Sequence, residues 1–137
     1  MPPAIVIAED DPNIVLSLEF LLTQAGYDVR AVHDGEAALK AVRERPPDLL
    51  LLDVMMPKLG GFEVCRAIRG DRALQHVRVV MLTAKSRGRE LAEGAAAGAD
   101  DYVVKPFSTR DMVRRVAELL ARPRRPPGEG RPDAAAQ

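Results

Sequence analysis

The 137-residue chain has one cysteine, Cys65, and two histidines, His33 and His76. A lone thiol cannot close an internal disulfide, and neither histidine has a cysteine or carboxylate partner at metal-ligand spacing. Disulfide scaffolds and zinc centres are excluded. No apolar run approaches the roughly 18 residues of a membrane-spanning helix and no signal peptide is recognisable, so a reducing cytoplasm is the expected compartment and no membrane partner is expected. Net charge is also absent, because 20 Lys and Arg balance 20 Asp and Glu. No overall field draws the molecule to nucleic acid. The P-loop pattern GxxxxGK[ST] is missing too, which removes that class of nucleotide site.

What is present is a regular change of hydrophobic period. With 47% hydrophobic residues, the chain can bury one ordinary core. "AIVIA" (4–8) reads as a strand, and Ile14, Leu18, Leu21, Leu22 and Ala25 then share one helical face that Gly26 stops. The same unit recurs as "DVRAV" before 35–44, "DLLLL" before 61–70, "VRVVML" before 86–97, and "DYVV" before 108–121. Five strand-helix units imply an α/β fold with a parallel sheet. Cap chemistry agrees: Asp11 precedes a helix with Pro12 at its first position, and Ser108 with Asp111 has capping-box spacing. Cys65 shares a helical face with Val64 and Ile68 and is read as core. The fourth helix, "LAEGAAAGA", offers little to bury and is expected to be the most mobile. Residues 122–137, dense in Pro, Gly and Arg, read as a disordered tail or linker, so the domain is placed at 1–121.

The stretch "DLLLLDVMMPKLGG" (48–61) drives four leucines into Asp53. An unalternating apolar run suits a strand buried on both faces, which places Asp53 at its carboxyl end. That edge of an open parallel sheet is where ligands bind. Equivalent ends of the first, fourth and fifth strands present Glu9 and Asp10, Thr83, and Lys105. Three crowded carboxylates either rise in pKa or gather a cation, and magnesium suits carboxylates where phosphate oxygens share its shell. Thr83 and Lys105 supply a hydroxyl and a positive charge for a phosphoryl group, and Asp53 can serve as a nucleophile.

Four blocks carry a resemblance: "IAEDD", "LLLDVMMPKLGGFE", "MLTA" and "GADDYVVKPF". Over residues 4–121 the chain is similar to the CheY-like receiver domain of the two-component response-regulator family, including the intervals of 30 residues from Asp53 to Thr83 and 22 from Thr83 to Lys105. The resemblance implies a flavodoxin-like doubly wound (βα)5 fold of strand order 2-1-3-4-5. It implies Asp53 as phosphoacceptor, Asp10 as direct magnesium ligand, Glu9 acting mainly through water, the Met55 carbonyl as backbone ligand, and Thr83 and Lys105 gripping the phosphoryl oxygens. Tyr102 corresponds to the aromatic whose rotation reports phosphorylation, and the Lys105–Pro106 bond to the family's cis peptide. The implied partner is a sensor histidine kinase or phosphotransfer protein of a bacterial system. A second copy would dock through the surface of the fourth helix, fifth strand and fifth helix, with Asp100 or Asp101 meeting Arg115 or Arg110.

Two positions depart from the pattern. Gly60 stands where many relatives carry Asp, which predicts a more flexible loop, and Met55 brings a bulky apolar side chain to the pocket mouth. The competing reading of a small aspartate-nucleophile phosphatase needs a second Asp two residues after the first, where Met55 stands. "DDYVVKPFSTRDMVRRV" resembles receivers joined to winged-helix DNA-binding domains, so an excised receiver of such a regulator is the alternative. Nothing after Ala121 is expected to bind nucleic acid directly.

Overall fold

The computed structural model describes residues 2–84 and 88–123. Strands β1 (Ala4–Ala8), β2 (Asp28–Val32), β3 (Leu49–Asp53), β4 (Arg78–Thr83) and β5 (Asp101–Val104) form one sheet, all parallel, in the order β2-β1-β3-β4-β5. Helices α1 (Pro12–Gln24), α2 (Gly35–Glu44), α3 (Gly61–Arg69), α4 (Gly88–Ala97) and α5 (Thr109–Leu120) connect them. This is the doubly wound order expected from the sequence.

The leucine run explains the layering. Alternate side chains of a strand point to opposite faces. Leu49 and Leu51 enter one apolar layer with Val15, Leu18 and Leu22 of α1 and Met112, Val116 and Leu119 of α5. Leu50 and Leu52 enter the other, with Ala38 and Val42 of α2 and Val64, Cys65 and Ile68 of α3. β3 thus has no wet face, and a continuous apolar run is the only pattern that serves it. Cys65 is core as expected, and its Sγ lies 3.3 Å from the Ala97 carbonyl.

Local chemistry sets the ends. The Asp11 side chain accepts from the Asn13 N–H at 2.9 Å, and Ser108 Oγ accepts from the Asp111 N–H at 3.2 Å. Details differ from expectation: β3 runs from Leu49 to Asp53 rather than over 48–52, and α3 and α5 end at Arg69 and Leu120, one residue earlier. The buried face of α1 is Val15, Leu18 and Leu22, of which Val15 was not expected, while Ala25 is its exposed carboxyl cap. β4 begins at Arg78 and includes Thr83. A single 3-10 turn, Arg72–Leu74, was not foreseen; Asp71 opens it by accepting from the Ala73 N–H, and Leu74 anchors it in the core. α4 is placed from Gly88, and the part of its expected span before that, like the expected tail from 124 onward, lies outside the described residues.

A buried ion pair braces the amino-terminal rim of the sheet. Arg69, with 1% of its side chain exposed, donates from Nε to the Gly98 carbonyl (2.8 Å), from Nη1 to Val77 (2.8 Å) and from Nη2 to Asp100 Oδ2 (2.7 Å). It joins the end of α3 to the starts of β4 and β5.

Candidate functional site

Glu9, Asp10, Asp53, Thr83 and Lys105 stand along the carboxyl ends of the strands. Asp53 ends β3, buried, with Leu82 beside it in β4. Glu9 follows β1 directly and is fully buried; its N–H donates to the Val32 carbonyl, and its Oε2 accepts from the Asp11 N–H at 3.0 Å. Asp10 is exposed at the mouth. One carboxylate oxygen from each of Glu9, Asp10 and Asp53 lies within 4.8 Å of the others. Three hard oxygen donors at that spacing suit a divalent cation such as magnesium.

Lys105, just past β5, reaches into the same place. Its Nζ stands 2.7 Å from Glu9 Oε1 and 3.5 Å from Asp53 Oδ1. Burial and the Glu9 carboxylate push the Asp53 pKa up to about 6; the Lys105 charge and the Met55 N–H, which donates to Asp53 Oδ1 at 3.2 Å, offset this only in part. Burial works against the Lys105 charge, yet hydrogen bonding to Glu9 and attraction to both carboxylates leave its pKa raised. The sequence reading assigned Lys105 to phosphoryl oxygens alone and missed its bond to Glu9.

Thr83 is buried at the end of β4, and its carbonyl accepts the Lys105 N–H, which ties the ends of β4 and β5 together. Tyr102 lies in β5 opposite Met81, its ring packed against the α2–α3 layer and its hydroxyl oxygen buried. The Lys105–Pro106 peptide is cis, as expected. Met55 is 74% exposed and stands at the mouth, whereas Met56 packs inward. The sequence reading gave Gly61 no role: a Cβ there would lie 2.4 Å from the Asp53 carbonyl oxygen, so only glycine allows α3 to start so close to the end of β3. The doublet "GG" was the signal. A cleft of about 490 Å³, lined by Asn13, Ile14, Ser17, Ala84, Lys105 and Phe107 among others, opens beside the site.

Residues 5–117 match the family described as response regulator receiver domain. The chain belongs to the response-regulator receiver family. It is 43% identical over 129 residues to the DNA-binding response regulator MtrA of Mycolicibacterium smegmatis, covering 94% of this chain and 55% of that protein. Among solved structures, a response regulator from Chloroflexus aurantiacus superposes with a TM-score of 0.84 at 36% identity, over 89% of this chain and 100% of that one. The receiver domain of the sensor histidine kinase PA1611 from Pseudomonas aeruginosa, with a magnesium ion coordinated in its active-site cleft, gives 0.81 at 28% identity, over 89% of this chain and 100% of that one. As a receiver domain, the chain is a signalling component of two-component systems. It spans about half the length of the curated relatives it matches. Among the described residues of this receiver, no helix is long and apolar enough to cross a membrane.

Two acids expected to face a second copy are engaged within the chain. Asp100 binds Arg69, and Asp101 Oδ2 lies 3.1 Å from Arg115 Nη1.

Proposed function

We propose that this receiver accepts a phosphoryl group on Asp53 from the phosphohistidine of a sensor histidine kinase or phosphotransfer protein, with magnesium as cofactor. The observation that carries the reading is the meeting of Asp53 with Glu9, Asp10 and Lys105 at one rim of the sheet. An Asp53 carboxylate oxygen attacks phosphorus as the bond to the donor's leaving group breaks, which yields an acyl phosphate. Glu9, Asp10, Asp53 and the Met55 carbonyl would hold magnesium, which when bound neutralises charge on the phosphoryl oxygens. Lys105 and the Thr83 hydroxyl contact those oxygens on the far side. The same arrangement supports self-phosphorylation from a small donor and autodephosphorylation.

Intact-mass measurement with acetyl phosphate tests this. One phosphoryl adduct is expected, abolished by EDTA and by Asp53→Asn; a full adduct in Asp53→Asn overturns the assignment.

Thr83, drawn toward a phosphoryl oxygen, makes room for Tyr102 and so selects a second packing of the α4–β5–α5 face. That face is the output surface, and a second copy paired about a two-fold axis is its partner. The Asp101–Arg115 pair is shared or exchanged when the copies meet. The cleft beside Lys105 receives the donor protein. The span of about half of MtrA, whose name marks it as DNA-binding, favours placing residues 1–121 as the receiver of a longer DNA-binding regulator, with 122–137 as its linker. Cytoplasmic residence follows from that role.

A further inference from the structure

The loop after Asp53, residues 54–60, is anchored at its base and at its tip. At the base the Gly61 N–H donates to the Val54 carbonyl at 3.0 Å, and the Val54 N–H to the Leu82 carbonyl at 2.9 Å. At the tip the Gly35 N–H, the first of α2, donates to the Pro57 carbonyl at 3.2 Å. Gly35 is buried, and the space a side chain would need is already taken: a Cβ there would lie 1.8 Å from the Leu59 carbonyl oxygen and 2.6 Å from its carbon. Backbone atoms cannot swing aside as a side-chain tip can. The neighbouring Asp34 caps α2 through the Ala37 N–H at 2.7 Å and turns its second oxygen to Lys58 Nζ at 3.8 Å. Met56 and Leu59 pack against the α2–α3 layer, whereas Met55 is exposed. The place of the Met55 carbonyl is therefore set by the anchors on either side of it rather than by its own side chain.

We propose that Gly35 is a positioning residue for the phosphoryl site: the bare start of α2 forms a seat for the backbone of Pro57 and Leu59, and the seat fixes the Met55 carbonyl relative to Asp53. The inference rests on the reading of Asp53 as acceptor and Met55 as backbone ligand. Its force comes from magnesium's demand for near-ideal octahedral geometry, which a displaced carbonyl cannot meet. Relieving the overlap created by one methyl group at position 35 needs a backbone shift on the order of 1 Å, enough to spoil a ligand. No acid of the cluster is touched. The defect therefore falls on metal affinity more than on the chemistry of Asp53 once metal is saturating.

Magnesium titrations followed by melting temperature test the seat on the full chain of Gly35→Ala, Leu59→Ala and Gly70→Ala. The second loosens the seat by truncating a half-buried side chain, without overlap. The third adds the same methyl group at the end of α3, remote from the site. Gly35→Ala and Leu59→Ala are expected to raise the magnesium dissociation constant about tenfold, the scale of lost support around a metal ligand. Their acetyl-phosphate adduct rate at saturating magnesium stays within about threefold of the parent, and Gly70→Ala leaves the metal affinity unchanged. Unaltered affinity in Leu59→Ala and in folded Gly35→Ala overturns the seat, as does an equal loss in Gly70→Ala. If Gly35→Ala fails to fold, Leu59→Ala alone decides. A parent that binds no magnesium and takes no phosphoryl group on Asp53 overturns the functional reading instead.

Discussion

Lys105 Nζ lies closer to Glu9 (2.7 Å) than to Asp53 (3.5 Å), so the strongest hold on this ammonium ion belongs to the fully buried carboxylate of Glu9. Asp53 is left only partly compensated. Its proton affinity rises accordingly.

Removing the ammonium should therefore destabilise the fold as well as the chemistry. Lys105→Met leaves Glu9 buried without its counterion, a change expected to cost roughly 3 kcal/mol in urea unfolding at neutral pH. Adding Glu9→Gln to the same chain should return most of that loss. A double variant as unstable as Lys105→Met would show that the lysine acts through packing.

The Asp53 shift has a definite sign. Its folded pKa, about 6, lies above the ordinary carboxylate value, so the native state holds the proton more tightly than the unfolded chain. Its contribution is intact below about pH 4, falls as pH rises to about 6, and stays lost above that. In EDTA, Asp53→Asn should exceed the parent in stability at pH 7.5 by on the order of 1–3 kcal/mol. At pH 4 the gap should close. Magnesium should stabilise the parent and narrow the gap at pH 7.5.

Arg69→Met tests the brace at the opposite rim. It removes the cation beside Asp100, which keeps only neutral donors such as the Val79 N–H, and the side-chain donor to two carbonyls, for an expected cost of roughly 3–5 kcal/mol. Thermal or chemical denaturation measures it. Magnesium affinity should not change, since no group of the acid cluster touches Arg69; a weaker metal site in the variant would mean the two rims are coupled.

Activation by beryllofluoride should alter hydrogen exchange across 84–121, with sedimentation reporting whether a dimer forms. Unchanged exchange there would remove the α4–β5–α5 face as the output surface, and changed exchange in a persistent monomer would remove only the second copy.

The sheet and the acid cluster were legible because their signals are local. Four leucines in a row announce a strand buried on both faces; Asp53 and Thr83 each end such a strand, and Lys105 follows directly on the last one. Arg69 was not legible: an arginine in the last turn of a helix ordinarily sits in water, and its three acceptors come from Val77, Gly98 and Asp100, which only the folded chain assembles. The Lys105–Glu9 contact escaped for the same reason, as it joins opposite ends of the chain. The intrachain bonds of Asp100 to Arg69 and of Asp101 to Arg115 were not legible either, because their partners lie 31 and 14 residues away.

The descent of α5 has a further consequence. After Leu120 the chain passes Arg122 and Pro123, which line a small recess with Gln75, His76 and Arg78 at the amino end of β4. Pro123, the last described residue, thus lies at the rim opposite Asp53, separated by the six residues of β4, a path of about 20 Å. An event at Asp53 that is to be felt at Pro123 therefore has the length of a strand to cross, and the stiff, fully buried β4 is the shortest covalent route.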